Sequence, residues 1–452
     1  MQQIFFYLDI FEDNLWGYAG VPLLLFLGFY LTIKSRFFQI RCLPEIVKSF
    51  INLIRTKDIQ ARGIHPLKAF FASVGGCVGI GNIVGICTAV QIGGPGALLW
   101  IWVTAFAGMM VKYAEVYLGL RYRVPNNEGG YNGGPMYFLQ KAFKAAWIPG
   151  LVSILLCIYG VEVYQFSVIT DSIVTNFEVN QYLVIAVLLG LVLFASSGGV
   201  RRVGTISSAI IPFFVVLYIG MGAWVLFHHV TEIPSVLKMV FNSAFTSSAA
   251  FGGFAGSTLM LTISQGVRRG CYTGDLGVGY ASVIHSESSA NIPEKQASLA
   301  VLDILLDTFL ICSTSVMLIL VTETWHQPMN ATMLVQTALG NHFPYMHFFM
   351  PLFLFLLGYS TINAYFCVGI KCAEFLSPKY GRTVYYTYGI SALILFSFIG
   401  TLQAQTIMTI VNGSLLVINC IGIFRLRKEI SFANIQEAEP TKIIPIADPQ
   451  VG

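Results

Sequence analysis

The chain has 452 residues, of which 56% are hydrophobic and only 11% are charged. Soluble domains carry about 25% charged residues, so this sequence has too little charge to cover a soluble protein of its length. Its unbroken apolar runs of roughly 18–25 residues cross a bilayer as helices, and they lack the alternating pattern of barrel strands. The composition therefore predicts an all-α polytopic membrane protein embedded in the lipid bilayer.

Other function classes find little support in the composition. The net charge of +4 includes no basic patch with interleaved aromatic residues, which argues against a nucleic-acid partner. The nine cysteines form no CxxC or Cys/His cluster of the kind that binds zinc. No nucleophile–base constellation and no ATP motif is recognisable, so we expect neither an enzyme nor a pump. Nothing in the sequence indicates an obligate protein partner.

Hydropathy predicts eleven spans. They lie near 16–33, 68–92, 96–118, 147–170, 182–199, 205–229, 243–267, 298–322, 346–370, 384–402 and 405–424. All basic residues except Lys238 then fall on one side of the membrane, with Arg268 and Arg269 placed in the loop after span 7. Cytoplasmic loops collect Lys and Arg. The pattern predicts an outside N-terminus, a cytoplasmic C-terminus and an odd number of spans.

Two of the predicted spans carry glycine clusters that weaken a helix. Glycine costs about 1 kcal/mol relative to alanine in a helix interior. The clusters comprise Gly75, Gly76, Gly79, Gly81 and Gly85 in span 2, and Gly252, Gly253 and Gly256 in span 7. Close helix packing through small residues is one explanation. The alternative is a pair of broken helices.

The spacing of the two clusters favours broken helices. Spans 2 and 7 are five apart, so units 2–6 and 7–11 would enter the membrane from opposite sides. Interrupted helices at matching positions of two inverted halves indicate a transporter site. Unwound backbone there exposes N–H groups that favour a carboxylate, and carbonyls that can bind a cation such as Na⁺.

Several motifs resemble signatures of the alanine or glycine:cation symporter family. They are the runs 79–123 (beginning GIGNIVG), 133–143 (GGPMYFLQKAF) and 265–270 (QGVRRG). The resemblance implies a leucine-transporter-type fold, a 5+5 inverted repeat plus one extra N-terminal helix. It also implies Na⁺- or H⁺-driven uptake of small neutral amino acids through a multi-pass protein of a bacterial-type plasma (inner) membrane.

The same resemblance implies a division of the chain. We expect an outside N-terminal segment (1–15), an extra helix and cytoplasmic loop (16–62), a first repeat (63–235), a second repeat (236–428) and a disordered cytoplasmic tail (429–452).

Carried over by position, the resemblance also implies two sets of site residues. The Na⁺ ligands would be the carbonyls of Gly75, Val78 and Leu357 with the hydroxyls of Ser360 and Thr361. The substrate would meet the segment Gly79, Ile80, Gly81 and Asn82, with the N–H groups of Ile80 and Gly81 on its carboxylate and Asn82 beside it. Gly252 and Phe254 would form the wall facing its side chain.

Two departures from the family pattern fall in this predicted pocket. The family usually has Thr-Gly-Asn where Ile80 begins the triplet, so a hydroxyl is missing. The family's glutamine in span 4 is replaced by Tyr164 or displaced by one position to Gln165. A third departure, at 273–279, is placed in the loop after span 7.

Acidic residues inside predicted spans provide further candidates. Glu162 lies within span 4, where an ionisable residue is expensive and usually functional. It could bind the substrate ammonium, carry a coupling proton, or be a protonated structural group. Asp303 and Asp307 in span 8 are interpreted as hydrogen-bonding to neighbouring helices. Lys112 and Glu115 are interpreted as an interfacial pair.

The sequence therefore predicts a Na⁺-coupled symporter of a small neutral amino acid that works by alternating access. Two alternatives stay open at this point. One is a proton-coupled or exchange carrier of a different amino acid or small zwitterion. The other is a membrane amino-acid sensor that binds its ligand without transporting it.

Overall fold

The computed structural model describes residues 2–55, 62–126, 129–246 and 259–433. These residues are almost entirely helical, with one short hairpin in which β1 (Val124–Pro125) pairs antiparallel with β2 (Tyr131–Asn132). This confirms the predicted all-α class. Most of the predicted disordered tail, from residue 434 onward, lies outside the described residues.

The α-helices follow one another along the described residues. They are α1 (Gln2–Asn14), α2 (Val21–Lys34), α3 (Phe38–Arg41), α4 (Leu43–Arg55), α5 (Pro66–Cys77), α6 (Gly85–Gly93), α7 (Ala97–Arg121), α8 (Pro135–Ala142), α9 (Trp147–Tyr159), α10 (Val163–Phe177), α11 (Gln181–Ser196), α12 (Gly199–His228), α13 (Ile233–Ser243), α14 (Leu259–Gly274), α15 (Tyr280–Ser286), α16 (Pro293–Ile304), α17 (Ser313–Val321), α18 (Ala331–Gly340), α19 (Met346–Leu376), α20 (Gly381–Phe396) and α21 (Thr401–Arg425). Short π-helical stretches join α1 to α2 (Leu15–Gly20) and α16 to α17 (Leu305–Cys312), and 3-10 turns lie at Ile80–Asn82 and Thr324–His326.

Long apolar helices make this a membrane protein. Those long and apolar enough to cross a bilayer, within the described ranges, are Gln3–Lys34, Ala97–Arg121, Trp147–Phe177, Gly199–His228, Pro293–Val321, Met346–Leu376 and Thr401–Arg425. The bent pair Pro66–Cys77 and Ile80–Gly93 makes an eighth if it is one span. All eight match predicted spans. Predicted spans 5 and 10 are the shorter α11 and α20, so the number eleven stays a prediction.

The first predicted break, in span 2, is present. Helix α5 begins with Pro66, which suits a first turn because it lacks an N–H, and ends at Cys77. Gly79 is extended, with φ −134° and ψ −161°, before the 3-10 turn and α6. The two halves of the span meet at 54°. The glycine cluster therefore marks a broken helix rather than close packing of a continuous one.

A break that the sequence analysis did not predict, called the second break, separates α14 from α15. Helix α14 ends at Gly274 and α15 begins at Tyr280. Between them Asp275, Gly277 and Gly279 have φ of 50°, 70° and 104°, a conformation that glycine adopts without steric cost. The segment 275–279, which the sequence analysis placed in a loop, is thus a helix break. The cluster predicted to break span 7, at 252–256, lies outside the described residues.

The placement of Arg268 and Arg269 in a basic loop is wrong. Both lie within α14 and are buried. Helix α14 runs alongside α7 in the same direction, because the Thr262 hydroxyl binds the Gly93 carbonyl near the start of α7 and the Gly274 carbonyl meets Lys112 further along. The guanidinium of Arg268 pairs with Glu12 at 2.9 Å and Asp13 at 2.6 Å in α1. The chain can bury this charge because acidic partners meet it.

The far ends of the two broken helices are joined to each other. The N–H of Ile64, just before α5, donates to the Glu287 carbonyl, and the N–H of Ser289 donates back to the Ile64 carbonyl. Arg123 lies at the same end and donates to the carbonyls of Ser286 at 3.1 Å and Ser288 at 2.5 Å. This end of the bundle, where α7 ends at Arg121, is called the basic end.

Candidate functional site

Asn82 shapes the first break. Its Oδ1 accepts a hydrogen bond of 2.9 Å from the Gly79 N–H, and its Nδ2 donates to Asp307 Oδ1 at 2.5 Å. The side chain therefore satisfies the unwound backbone on one side and ties it to the π-helical stretch 305–312 on the other. Asn82 holds the break in place rather than pointing freely toward a substrate.

Gln165 occupies the position that a substrate carboxylate was predicted to take. Its Oε1 accepts a hydrogen bond of 3.2 Å from the Ile80 N–H. A Cβ on Gly79 would lie 2.7 Å from the same oxygen, so only glycine allows this approach. Of the two candidates for the displaced family glutamine, Gln165 is the one that contacts the break.

Tyr164 lies one residue earlier and packs elsewhere. Its ring meets the ring of Tyr272 edge to face, with centroids 6.3 Å apart. Its hydroxyl is 3.8 Å from the position of a Cβ on Gly85. Tyr164 therefore borders the first break through an aromatic contact with α14.

Glu162 lies at a break in span 4 that the sequence analysis did not predict. The residue has left-handed backbone angles, φ 52° and ψ 47°, between α9 and α10. Its side chain is 1% exposed, and its Oε2 accepts a hydrogen bond of 3.3 Å from the Tyr272 hydroxyl. An acidic side chain is thus held at the level of the first break.

The second break brings Tyr272 and Thr273 against the first. A Cβ on Gly81 would lie 3.2 Å from Thr273 Cγ2 and 3.5 Å from Tyr272 Cε1. The predicted wall residues, Gly252 and Phe254, lie outside the described residues. The sequence signal near Tyr272 and Thr273 was the glycine spacing in the segment 274–279, but the charged residues around that segment made it resemble a loop.

The residues predicted to bind Na⁺ come together on the other side of the first break. The Thr361 hydroxyl donates to the Gly75 carbonyl at 3.0 Å, and the Ser360 hydroxyl lies 2.7 Å from the hydroxyl of Ser207. A Cβ on Gly75 would lie 2.4 Å from Ser207 Oγ and 2.6 Å from Ser360 Oγ. These neutral oxygens are the ligand type that a hard cation such as Na⁺ prefers, so the residues fit the predicted ion.

The remaining two predicted Na⁺ ligands are the carbonyls of Val78 and Leu357. Val78 follows α5 directly, and its N–H donates to the Val74 carbonyl at 2.7 Å. Leu357 lies one turn before Thr361 on α19, and both side chains are fully buried. Ser207, which the sequence analysis missed, is on α12 and carries no motif that would have identified it.

A buried ionic cluster lies behind the breaks. Lys112 Nζ pairs with Asp303 Oδ2 at 2.8 Å and also contacts Cys77 Sγ at 2.9 Å. The prediction of an interfacial pair between Lys112 and Glu115 is wrong, since Lys112 is fully buried and Glu115 accepts from the Ser282 N–H at 3.2 Å. The prediction that Asp303 and Asp307 hydrogen-bond to neighbouring helices is confirmed. The Ser73 hydroxyl donates to Asp303 at 3.2 Å, and the Asn82 amide donates to Asp307.

A cavity of about 460 Å³ opens at the basic end. Its lining includes Gly63 before α5, Arg201 of α12, Glu287 after α15, and Cys367 and Lys371 of α19. Lys371 forms an ion pair with Glu287 and donates to Asn132 Oδ1 at 3.1 Å. This cavity lies between the broken helices and α19, on the side where the broken helices begin or end.

Comparisons with known proteins identify the family. The sequence model of the sodium:alanine symporter family matches residues 1–438. An uncharacterized transporter of Bacillus subtilis, YflA, is 30% identical over 95% of this chain and 93% of its own length. The probable sodium/glutamine symporter GlnT of the same organism is 30% identical, over 95% of this chain and 90% of its own. The sodium/alanine symporter AgcS of Methanococcus maripaludis is 29% identical, over 91% and 92%.

A solved structure shows the fold. The crystal structure of MhsT in complex with L-phenylalanine superposes with a TM-score of 0.57 at 15% sequence identity, covering 81% of this chain and 90% of that one. The architecture is therefore the leucine-transporter-type fold, and these relatives are transporters rather than enzymes. With the family match spanning nearly the whole sequence, the chain belongs to the sodium:alanine symporter family.

Proposed function

We propose that this protein is a secondary active symporter that moves a small amino acid across the membrane with Na⁺ by alternating access. The observation that carries the proposal is the hydrogen bond from the Ile80 N–H to Gln165 at the first break. This bond indicates that the unwound backbone offers an N–H donor to the amide oxygen of Gln165. A substrate carboxylate could take the place of that oxygen. The two broken helices in a leucine-transporter-type fold supply the context.

The carboxylate and the ammonium of the substrate would bind different residues of the site. Its carboxylate would accept from the Ile80 N–H, displacing Gln165 Oε1, and the freed Gln165 amide would then donate to it. Its ammonium would face Glu162, whose carboxylate is held by the Tyr272 hydroxyl. Because these residues are buried and packed closely, the site favours a small side chain, of the size of alanine or glycine.

The coupling cation would bind where α5 meets α19. The Gly75 carbonyl and the Ser360 and Thr361 hydroxyls would hold it, with Val78 and Leu357 as the further carbonyl donors. A bound Na⁺ supplies a positive charge whose movement across the membrane is worth about 2.3 kcal/mol per 100 mV. The chain's own contribution is to bring oxygens of a broken helix and of a continuous helix within reach of each other.

Alternating access would open and close the basic end. The two broken helices are hydrogen-bonded to each other at the basic end, so they can move as one unit against α19. The cavity lined by Glu287 and Lys371 is the route by which substrate would leave. The names of the relatives AgcS and GlnT support an amino acid and Na⁺ as cargo.

The test is uptake of radiolabelled L-alanine by purified protein in proteoliposomes, with inward gradients of Na⁺ or choline at one acidic and one alkaline pH. We expect uptake only with Na⁺ and at both pH values, and competition by small neutral amino acids. Alanine binding without counterflow would instead indicate a sensor. Absence of ion-stimulated uptake for every amino acid tested would overturn the proposal.

One observation favours a second candidate, a proton-coupled carrier. Glu162 is buried and accepts a hydrogen bond from a tyrosine hydroxyl, a setting in which a carboxyl group can bind and release a proton. In the same assay this candidate predicts uptake in choline that is driven by an inward proton gradient. Glu162→Gln would abolish that uptake, because an amide cannot carry the proton.

A further inference from the structure

Three histidines meet at the end of the bundle opposite the basic end. Helix α12 begins beside the basic-end cavity, which Gly199 lines, and its 30 residues extend about 45 Å away from it. His228 is the last residue of α12, His229 follows it, and His342 follows α18. The ring centroid of His342 lies 5.4 Å from that of His229 and 5.7 Å from that of His228. This histidine cluster joins the end of α12 to the segment before α19.

Two imidazole nitrogens face each other in the histidine cluster. Nε2 of His229 lies 3.3 Å from Nε2 of His342. Two ligands of a tetrahedral metal ion, each bonded at about 2.0–2.1 Å, are about 3.3–3.4 Å apart. The alternative explanation is a hydrogen bond from one imidazole to the other, which would be long at this distance. The two nitrogens therefore have the separation of two zinc ligands.

Hydrogen bonds at the other ring nitrogens determine which nitrogen carries the proton. Nδ1 of His229 lies 2.9 Å from Glu232 Oε2, and Nδ1 of His228 lies 2.9 Å from the Trp224 carbonyl oxygen. A carboxylate and a carbonyl only accept, so Nδ1 is protonated in both neutral rings and each Nε2 keeps its lone pair. Metal-binding histidines donate their second N–H to a carboxylate or a backbone carbonyl in the same way.

The surroundings of His342 also suit a metal ion. Burial, together with the nearby rings of His229 and His228, lowers the pKa of His342. Its imidazole is therefore neutral at neutral pH, the form that a metal ion requires. The side chain of His229 is 24% exposed, so an ion can reach the pair from water.

The rest of the coordination shell is not preformed. Across the described ranges, no group of three or more His, Cys, Asp or Glu side chains is arranged around one ion. Water would complete the shell of a metal ion bound by His229 and His342, or His228 would do so after a rotation of its side chain. Structural zinc sites are closed by four protein ligands, so a site of this kind exchanges its ion with the solution.

We propose that His229 and His342 bind a divalent transition-metal ion of the zinc class through their Nε2 atoms. Imidazole nitrogen suits Zn²⁺, Cu²⁺ and Ni²⁺, whereas Mg²⁺ and Ca²⁺ prefer oxygen ligands. The bound ion ties the end of α12 to the segment before α19. These are the two helices whose Ser207 and Ser360 meet near the first break. The inference does not depend on which solute the protein transports.

The test is calorimetric titration of Zn²⁺ into the purified protein at neutral pH, with Mg²⁺ as the control ion and an affinity tag that contains no histidine. We expect the wild type to bind Zn²⁺ and not Mg²⁺. His229→Gln and His342→Gln should each weaken Zn²⁺ binding by about tenfold or more. His347→Gln provides the matched control, because His347 is an exposed histidine in the first turn of α19, and it should bind as the wild type does.

Thermal unfolding separates loss of the site from loss of the fold. Each variant is measured in EDTA and in Zn²⁺, and the quantity compared is the rise in midpoint that Zn²⁺ causes within that variant. A ligand that binds only the folded state raises the midpoint. Zn²⁺ should therefore raise it in the wild type and in His347→Gln, and leave it unchanged in His229→Gln and His342→Gln.

Three results would overturn the inference. The first is a wild-type protein that does not bind Zn²⁺, or that binds Mg²⁺ equally well. The second is equal Zn²⁺ affinity in the wild type, His229→Gln and His342→Gln, which would place the bound ion elsewhere. The third is a loss of affinity in only one of the two variants, since the two imidazoles would then not be joint ligands. In each case the contact between His229 and His342 would be a hydrogen bond without a metal ion.

Discussion

The hydroxyl of Thr361 donates a hydrogen bond of 3.0 Å to the carbonyl of Gly75. The donor lies on a continuous helix, α19, and the acceptor lies on α5 just before the first break. Gly75 carries no side chain here because Ser207 and Ser360 fill the space that one would need. The proposed cation site therefore depends on glycine at this position.

Gly75→Ala should abolish Na⁺-dependent uptake. The added methyl would lie 2.4 Å from Ser207 Oγ and 2.6 Å from Ser360 Oγ, and overpacking of this kind costs about 1–3 kcal/mol. Adding Ser207→Gly removes both the Oγ and the Cβ of Ser207, the latter 2.7 Å from the added methyl, and should restore part of the uptake. Equal uptake by the wild-type protein and Gly75→Ala would contradict the placement of the cation site.

Lys112→Met should strongly destabilise the protein. It leaves Asp303 buried without its ammonium partner, which costs about 3–5 kcal/mol. The double variant Lys112→Met/Asp303→Leu should regain much of that loss, because Asp303 is then no longer a buried charge without its partner. Denaturant unfolding of the purified protein in detergent measures both.

The exposed pair Arg382–Glu374 provides a matched control. Its atoms are 3.9 Å apart, and its side chains are 48% and 34% exposed. Exposed pairs contribute about 0–1 kcal/mol, so Arg382→Met should leave the unfolding midpoint almost unchanged. If Lys112→Met were as mild as this control, the buried cluster would not be the stabilising element described above.

Glu287→Gln should favour opening of the basic end. The change weakens the ion pair between Glu287 and Lys371. This pair joins the segment after α15 to α19, and both residues line the cavity. Cys367 lines the same cavity and is 2% exposed. We expect faster labelling of Cys367 by a membrane-impermeant thiol reagent, with Cys367→Ala identifying the labelled residue. Labelling at the wild-type rate would show that the ion pair does not restrain this end.

Part of this site could be predicted from local sequence. A cluster of five glycines in an apolar run costs helix stability wherever it lies, so the first break was predictable. Ser360 and Thr361 are on a regular helix, where the position of each side chain follows from the helix itself. Gly75 and Thr361 accordingly meet as the family pattern implied.

The second break could not be found in this way. Arg268, Arg269 and Asp275 made the segment that contains them look like a solvated loop, so the hydropathy window selected 243–267 instead. Their burial depends on Glu12 and on Tyr365, which are distant in sequence. Lys112 was misassigned for the same reason, because Asp303 lies on another helix.

The central claim is that a cation site formed by Gly75 and Thr361 supports binding at the first break. The most direct measurement is the affinity of the purified protein for L-alanine as a function of Na⁺ concentration, in wild type, Thr361→Val and Thr387→Val. Thr387 is an exposed threonine of α20 whose hydroxyl binds only its own helix, at the Thr383 carbonyl. The account predicts that Na⁺ strengthens alanine binding in the wild type and in Thr387→Val but not in Thr361→Val. Na⁺-independent binding in the wild type, or an unchanged Na⁺ dependence in Thr361→Val, would contradict it.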